Sequence, residues 1–299
     1  MTKQLKADLM LLFVTLCWGV SYYLSDVSLE DMGSFTLNAN RFLIAFVVAV
    51  LIAFPKLKNV SKTTLKYSVI IGVLLSFVYF GANMGVLYTT LSNTSFLCGM
   101  TVIFTPILSS IVYKKMPDRK LTLVILMSTI GIALLTLKDN FSINYYNLLG
   151  DALSIMTAFF YAVDLLVMEK AVSKEDVNPF QLGVFQLGVT GVLNLVLSLI
   201  FEKPHLPTEP RYWGSVLFLA ILCTGVAFIV QAIAQQYTSA SHVGVIFSME
   251  TVFAGIVAFI FAKEVLSFKS YMGAILMVLS IFVMEINFKE LFKKKMEKG

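Results

Sequence analysis

Ten stretches of predominantly apolar residues divide the chain: 7–25, 34–54, 67–90, 94–113, 120–137, 148–168, 180–201, 212–236, 240–262 and 269–288. A helix needs about 20 residues to cross the hydrocarbon layer of a bilayer. Each run therefore predicts one membrane span, and the whole predicts an all-α integral membrane protein of ten transmembrane helices. The polar connections are short and leave no room for an extramembrane module. The longest, around EKPHLPTEPRYW, is a proline-rich surface loop.

Composition agrees with this pattern. At 58% hydrophobic and 14% charged residues, a 299-residue chain exposes too little polarity for a water-soluble globule. The formal net charge of +5 would suggest an anionic partner in a soluble protein, but here the basic residues sit in short segments between apolar runs. They read as orientation signals and not as nucleic-acid contacts. Cys17, Cys98 and Cys223 fall inside apolar runs without metal-ligand spacing and read as small core residues. Lys3 and Lys6 followed by LMLLFVTLCWGVSYYL imitate a signal peptide but lack a small-residue cleavage site, so the segment reads as a retained first helix.

The basic residues orient the bundle. One set of helix ends carries 17 of them: Lys3 and Lys6, the lysines at 56–66, the cluster at 114–120, Lys170 and Lys174, and the lysines at 289–298. The other set carries 5: Lys138, Lys203, Arg211, Lys263 and Lys269. The richer ends are cytosolic, which puts both termini in the cytosol of a multi-pass plasma-membrane protein and requires an even number of spans.

A repeat runs through the same chain. Residues 88–115 and 237–264 align without a gap and share Tyr88/Tyr237, Thr89/Thr238, Ser92/Ser241, Met100/Met249, Phe104/Phe253, Ile107/Ile256, Ile111/Ile260 and Lys114/Lys263. Weaker echoes place Ala7-Asp8 over Gly150-Asp151 and SFTLNANRF over PFQLGVFQL. Span 4 thus corresponds to span 9, and each half holds five spans: residues 1–141, and residues 142–299 with a basic cytosolic tail. Five is odd, so the halves are inverted, the arrangement suited to alternating access about a site near the midplane.

Charged side chains deep in hydrocarbon are costly and mark candidate sites. Glu250 lies about 10 Å into its span from Val243, at 1.5 Å per residue. It reads either as a neutral acid bonded to a neighbouring carbonyl or as a cavity carboxylate that binds a cation or a proton. Asp164, about 7 Å from the cytosolic end of span 6, either pairs with Lys170 or another cytosolic lysine or joins the same cavity. Arg41, about 9 Å below the outer face, either snorkels outward or acts as an anion-binding or gating residue at the outer mouth. Its outward tilt argues against a direct pair with Glu250. Trp18 and Tyr22, Tyr79 and Asn83, and Gln231 and Gln235 are each four apart and share a helix face. They complete the candidate substrate-binding set, with interhelical bonding as the alternative for the amides. Gly81 and Gly85 read as a close-packing pair.

At these residues the chain resembles the drug/metabolite transporter superfamily in its ten-helix EamA-type branch. The resemblance rests on Trp18-Gly19, Arg41, the fourth span TSFLCGMTVIFTPILSSIVYKK with Pro106, the string Met249-Glu250-Thr251-Val252-Phe253, and Lys263-Glu264. It extends from about Ala7 to Phe288. Thr251 stands where many relatives carry proline, which predicts a weaker kink because threonine keeps its N–H. Lys115 stands where the first half often has a glutamate. The resemblance implies a central cavity between the halves, no cofactor, and a transporter of small organic metabolites. Its first expectation is an exporter of amino acids or related molecules, and the alternative is an uptake permease for a small nutrient. Protons are the candidate coupling ion, and the assembly is expected to be a monomer or homodimer. An intramembrane enzyme would need a nucleophile with a base, or clustered ligands. His205 lies in an outer loop and His242 at a cytosolic turn, and the chain contains no HExxH.

Overall fold

The computed structural model describes residues 2–89, 91–136, 147–261 and 267–285, and these residues form helices and short connections with no strand among them. Ten rods appear in chain order: α1 (Lys3–Leu29), α2 (Ser34–Ala53), α3 (Lys62–Tyr88), α4 (Leu91–Gly99 and Thr101–Tyr113), α5 (Arg119–Thr136), α6 (Leu148–Val172), α7 (Pro179–Phe201), α8 (Pro210–Phe218, Leu219–Val226 and Ala227–Gln235), α9 (Ala240–Phe247 and Met249–Phe261) and α10 (Phe268–Glu285). They correspond one to one with the ten apolar runs. Lys138, Lys263, Glu264 and the lysines of 289–298 lie outside the described residues.

Local chemistry starts the rods where the runs begin. Ser61 accepts from the Thr64 N–H at 2.9 Å, and Asn178 accepts from Phe180 and Gln181, ahead of Pro179 in the first helical turn. Glu202 reaches across from the end of α7 to cap α2, accepting from Phe35 N at 3.0 Å and Thr36 N at 2.8 Å. Large apolar side chains such as Leu51, Ile52, Phe201 and Phe268 point away from the bundle. Such a surface belongs in lipid rather than in water.

Packing follows the repeat. The α3–α6 contact is matched five rods later by α8–α1, α3–α7 by α8–α2, and α4–α6 by α9–α1, while α2 meets α7 and α5 meets α10. Directions follow from the contact register. A Cβ on Gly99 would lie 3.4 Å from Thr251, and one on Gly244 would lie 3.3 Å from Thr105, so α4 and α9 run in opposite directions. Meanwhile α1 and α9 run together, from the Asp8–His242 contact of 3.3 Å at their starts to the Tyr23–Phe261 ring pair at their ends. In the same way α4 runs with α6, from Thr101–Ala158 to Tyr113–Glu169. The halves are therefore inverted.

Gly81 and Gly85 seat α3 on α6: a Cβ at either would stand 2.4 Å from the Thr157 or Ser154 hydroxyl oxygen. A polar ladder holds α2 to α7 and α3, through Thr36–Ser198 at 2.6 Å, Asn38–Asn194 at 3.3 Å and Asn194–Ser76 at 3.2 Å.

Both mated rods α4 and α9 are interrupted near their middles, at Met100 and at Ser248. The expected weakening of the α9 kink at Thr251 is overtaken by this break. The Thr251 N–H bonds back to the Ser248 carbonyl at 3.2 Å, and the chain turns at Ser248 without a proline. In α8, residues Leu219–Val226 adopt a π-helical turn, whereas the mated rod α3 is α-helical throughout.

Candidate functional site

The interrupted rods α4 and α9 border a cavity that α1, α2, α3, α6 and α8 complete. Its wall takes Trp18, Tyr22 and Ser25 from α1, Arg41 from α2, Tyr79, Asn83 and Val86 from α3, Ser95 and Thr101 from α4, Tyr161 from α6, Phe228 from α8, and Phe247, Ser248 and Glu250 from α9. It extends from the middle of the bundle toward the basic-poor ends, where α1 and α3 finish and α4 begins. The half toward the basic ends is closed by Leu165, Met168, Ala240 and Val243, all fully buried.

Glu250 stands in the first turn after the α9 break, facing the cavity, and the Tyr22 hydroxyl hydrogen-bonds its carboxyl. Arg41 is 1% exposed, so it does not snorkel to the surface. Its Nε donates to Thr224 Oγ1 at 2.9 Å in the π-turn, its guanidinium stacks 4.6 Å from the Tyr79 ring centre, and Nη2 has no hydrogen-bond partner. Among the described residues Arg41 and Glu250 form no ion pair; the ion pairs found are Arg211–Glu30 and His242–Asp8. Arg41 and Glu250 thus line one cavity without pairing with each other.

Aromatic rings fill the space around them. Trp18 packs on Phe247 at 4.8 Å, Phe228 at 5.4 Å and Tyr161 at 5.8 Å, and Tyr161 stacks on Phe247 at 5.9 Å. The Trp18 Nε1–H donates to the Cys223 carbonyl at 2.8 Å. A backbone carbonyl is available there because the π-turn departs from the α-helical bonding pattern.

Of the nine residues expected to form the site, the cavity gathers Trp18, Tyr22, Arg41, Tyr79, Asn83 and Glu250. Asn83 also bonds Ser34 and Asn38, each at 3.1 Å, and so serves packing as well. Asp164, Gln231 and Gln235 are not among the residues that line this cavity. They lie beyond Tyr161 and Phe228, in the closed half. Gln235 Nε2 donates to the Leu165 carbonyl at 2.6 Å, Gln231 Oε1 accepts from Tyr161 at 3.5 Å, and Asp164 pairs neither with Lys170 nor with any other described cation.

Tyr161, Phe228, Phe247 and Thr101 escaped the sequence reading, although the repeat held the signal. The register that places Asp8 over Asp151 places Trp18 over Tyr161, and the one that pairs Tyr88 with Tyr237 pairs Tyr79 with Phe228, Cys98 with Phe247 and Thr101 with Glu250.

Two inverted five-helix halves around one polar and aromatic cavity define a membrane transporter. The chain belongs to the EamA-like transporter family, which matches residues 5–137 and again 148–286. It is 28% identical over 284 residues to an uncharacterized transporter of Archaeoglobus fulgidus, covering 95% of this chain and 87% of the relative. It is 24% identical over 293 residues to the uncharacterized transporter YoaV of Bacillus subtilis, covering 95% and 98%. A protein of known crystal structure shares the fold, with a TM-score of 0.79 at 16% identity, covering 96% of this chain and 98% of its own.

Proposed function

We propose that the protein exports amino acids, or close zwitterionic relatives, across the plasma membrane by alternating access, with both termini in the cytosol. One observation carries this reading. Arg41, whose Nη2 has no hydrogen-bond partner, and the unpaired Glu250 both line one aromatic-walled cavity. In the proposal Arg41 takes the substrate carboxylate, Glu250 takes the ammonium group, and Trp18, Tyr161 and Phe247 receive an apolar side chain. A proton and the ammonium compete for Glu250, which couples transport to the proton gradient.

Counterflow in reconstituted vesicles tests the substrate class. Phenylalanine is the probe; phenethylamine lacks its carboxylate and 3-phenylpropionate lacks its ammonium. Vesicles preloaded with unlabelled phenylalanine are expected to draw in labelled phenylalanine, with both truncated analogues at least about tenfold poorer competitors, since a hydrogen bond to a charged group is worth about 1.5–3 kcal/mol. Equal competition by either analogue would remove the zwitterion from the proposal. Direction is read from cells with and without the gene, where an amino acid lost from the medium on deletion is the expected result. An amino acid left behind in the medium instead would mark an uptake permease.

Orientation is tested by single-cysteine labelling in a background lacking Cys17, Cys98 and Cys223. An impermeant thiol reagent applied to intact cells is expected to modify His205→Cys but not Val60→Cys. External modification of position 60 would overturn the assignment.

A further inference from the structure

The closed half of the bundle contains an unusual set of side chains. Asp164, Gln186, Gln231 and Gln235 are each buried to within 1% of complete. Both carboxyl oxygens of Asp164, both amide atoms of Gln186, Nε2 of Gln231 and Oε1 of Gln235 have no hydrogen-bond partner. An unsatisfied buried polar atom is expensive, and native interiors hold few of them. These four side chains, on α6, α7 and α8, invite a common cause.

The repeat supplies one. The register that pairs Trp18 with Tyr161 pairs Ser21 with Asp164; the one that lays SFTLNANRF over PFQLGVFQL pairs Arg41 with Gln186; and the one that pairs Tyr79 with Phe228 pairs Ala82 with Gln231 and Val86 with Gln235. Ser21, Arg41, Ala82 and Val86 all line the present cavity. When inverted halves exchange conformations, a position open in one half becomes closed and its mate becomes open. The four orphaned residues are the mates of four lining positions.

We infer that Asp164, Gln186, Gln231 and Gln235 form the polar wall of a second vestibule, open toward the basic helix ends in the alternate conformation, in which Asp164 takes the cationic end of the substrate. The atoms unsatisfied here are satisfied there by water and substrate. Their burial destabilises the present conformation relative to the alternate one and helps the carrier leave it. The central residues Trp18, Tyr161, Tyr79, Phe228 and Glu250 serve both states, because their mates are each other or lie on the same wall. This inference rests on the carrier reading proposed above.

The test uses full-length protein with Cys17, Cys98 and Cys223 replaced, assayed in parallel for phenylalanine counterflow. Single cysteines are introduced as Gln231→Cys, Gln235→Cys, Ala82→Cys and Val86→Cys, and a charged impermeant thiol reagent is applied to each face in turn. Positions 231 and 235 are expected to react at least about tenfold faster from the face bearing the N-terminus, and positions 82 and 86 from the opposite face. In a separate arm, Asp164→Asn is expected to raise the half-saturating phenylalanine concentration at the N-terminal face about tenfold and to leave the other face unchanged. Positions 231 and 235 inert from both faces, in protein that gives counterflow, would sink the vestibule and leave the carrier reading standing. Reaction of 231 and 235 from the same face as 82 and 86 would also sink it. An equal shift at both faces in Asp164→Asn would remove the cation site. Sided labelling as expected, in protein that moves neither phenylalanine nor its analogues, would uphold the vestibule and overturn the proposed substrate.

Discussion

Glu250→Gln is expected to leave a folded protein that no longer concentrates its substrate. Glutamine keeps the size of the side chain and can still accept from the Tyr22 hydroxyl, the interaction that Glu250 makes at the cavity wall. It cannot ionise, and it offers an ammonium group a neutral acceptor in place of a charged one. A charge-assisted hydrogen bond is worth about 1.5–3 kcal/mol, so binding of the zwitterion should weaken by about 10–150-fold. Accumulation driven by an imposed pH difference should vanish altogether. In wild-type protein, acid should weaken substrate binding, because a proton displaces the ammonium from the carboxylate; in Glu250→Gln binding should be flat with pH. Thermal unfolding in detergent should match wild type, which separates a lost function from a lost fold. Wild-type-like accumulation that still responds to pH would remove Glu250 from the mechanism.

Arg41→Gln is expected to discriminate between substrates that differ by one carboxylate. Glutamine already stands at the mated position in the other half, Gln186, which is fully buried there, so a side chain of that size fits the setting. The substitution removes the unpaired Nη2 edge and the cation over Tyr79 while leaving a donor for Thr224. Phenylalanine binding should fall by about 10–150-fold, the worth of a charged hydrogen bond. Phenethylamine, with nothing to offer the guanidinium, should bind Arg41→Gln at least as well as it binds wild type. Equal losses for both compounds, with normal thermal unfolding, would mean that Arg41 only supports packing.

How much of this was legible beforehand depends on what each signal measures. Run length and hydropathy report the solvent, and a bilayer leaves the chain little choice but helices; hence the ten rods emerged in register with the runs. The ungapped match between spans 4 and 9 reports a shared local structure, and the two breaks at Met100 and Ser248 are its physical content. Depth along a helix, by contrast, says nothing about which half of a cavity is open. Asp164 reads at a plausible depth and Gln231 and Gln235 share a helix face, yet the structure buries all three outside the cavity. Arg41 was expected to lean outward with its Cα–Cβ bond. Its long side chain instead reaches Thr224, and no sequence signal announced a π-turn at that level of α8. Tyr161 and Phe228 carry no polar spacing of their own and become visible only through their mates.

The π-turn of α8 bears on the resting population of the proposed carrier. It holds both Trp18, through the Cys223 carbonyl, and Arg41, through Thr224, and α3 has no counterpart to it. On the proposed alternating-access reading, two halves that differ in this way are unequal in free energy when they trade roles, and the empty carrier then rests preferentially on one face. Thermodynamics forbids such a bias from choosing the direction of net flow, which the gradients alone determine. It does set how the carrier samples each side. A binding-competent state populated to a fraction f raises the apparent dissociation constant by 1/f, so the face turned to the resting state is the sensitive one and the other responds only to high concentrations. A carrier with that asymmetry acts as an overflow valve if its insensitive face meets the cytosol, moving metabolite only when the internal pool is large.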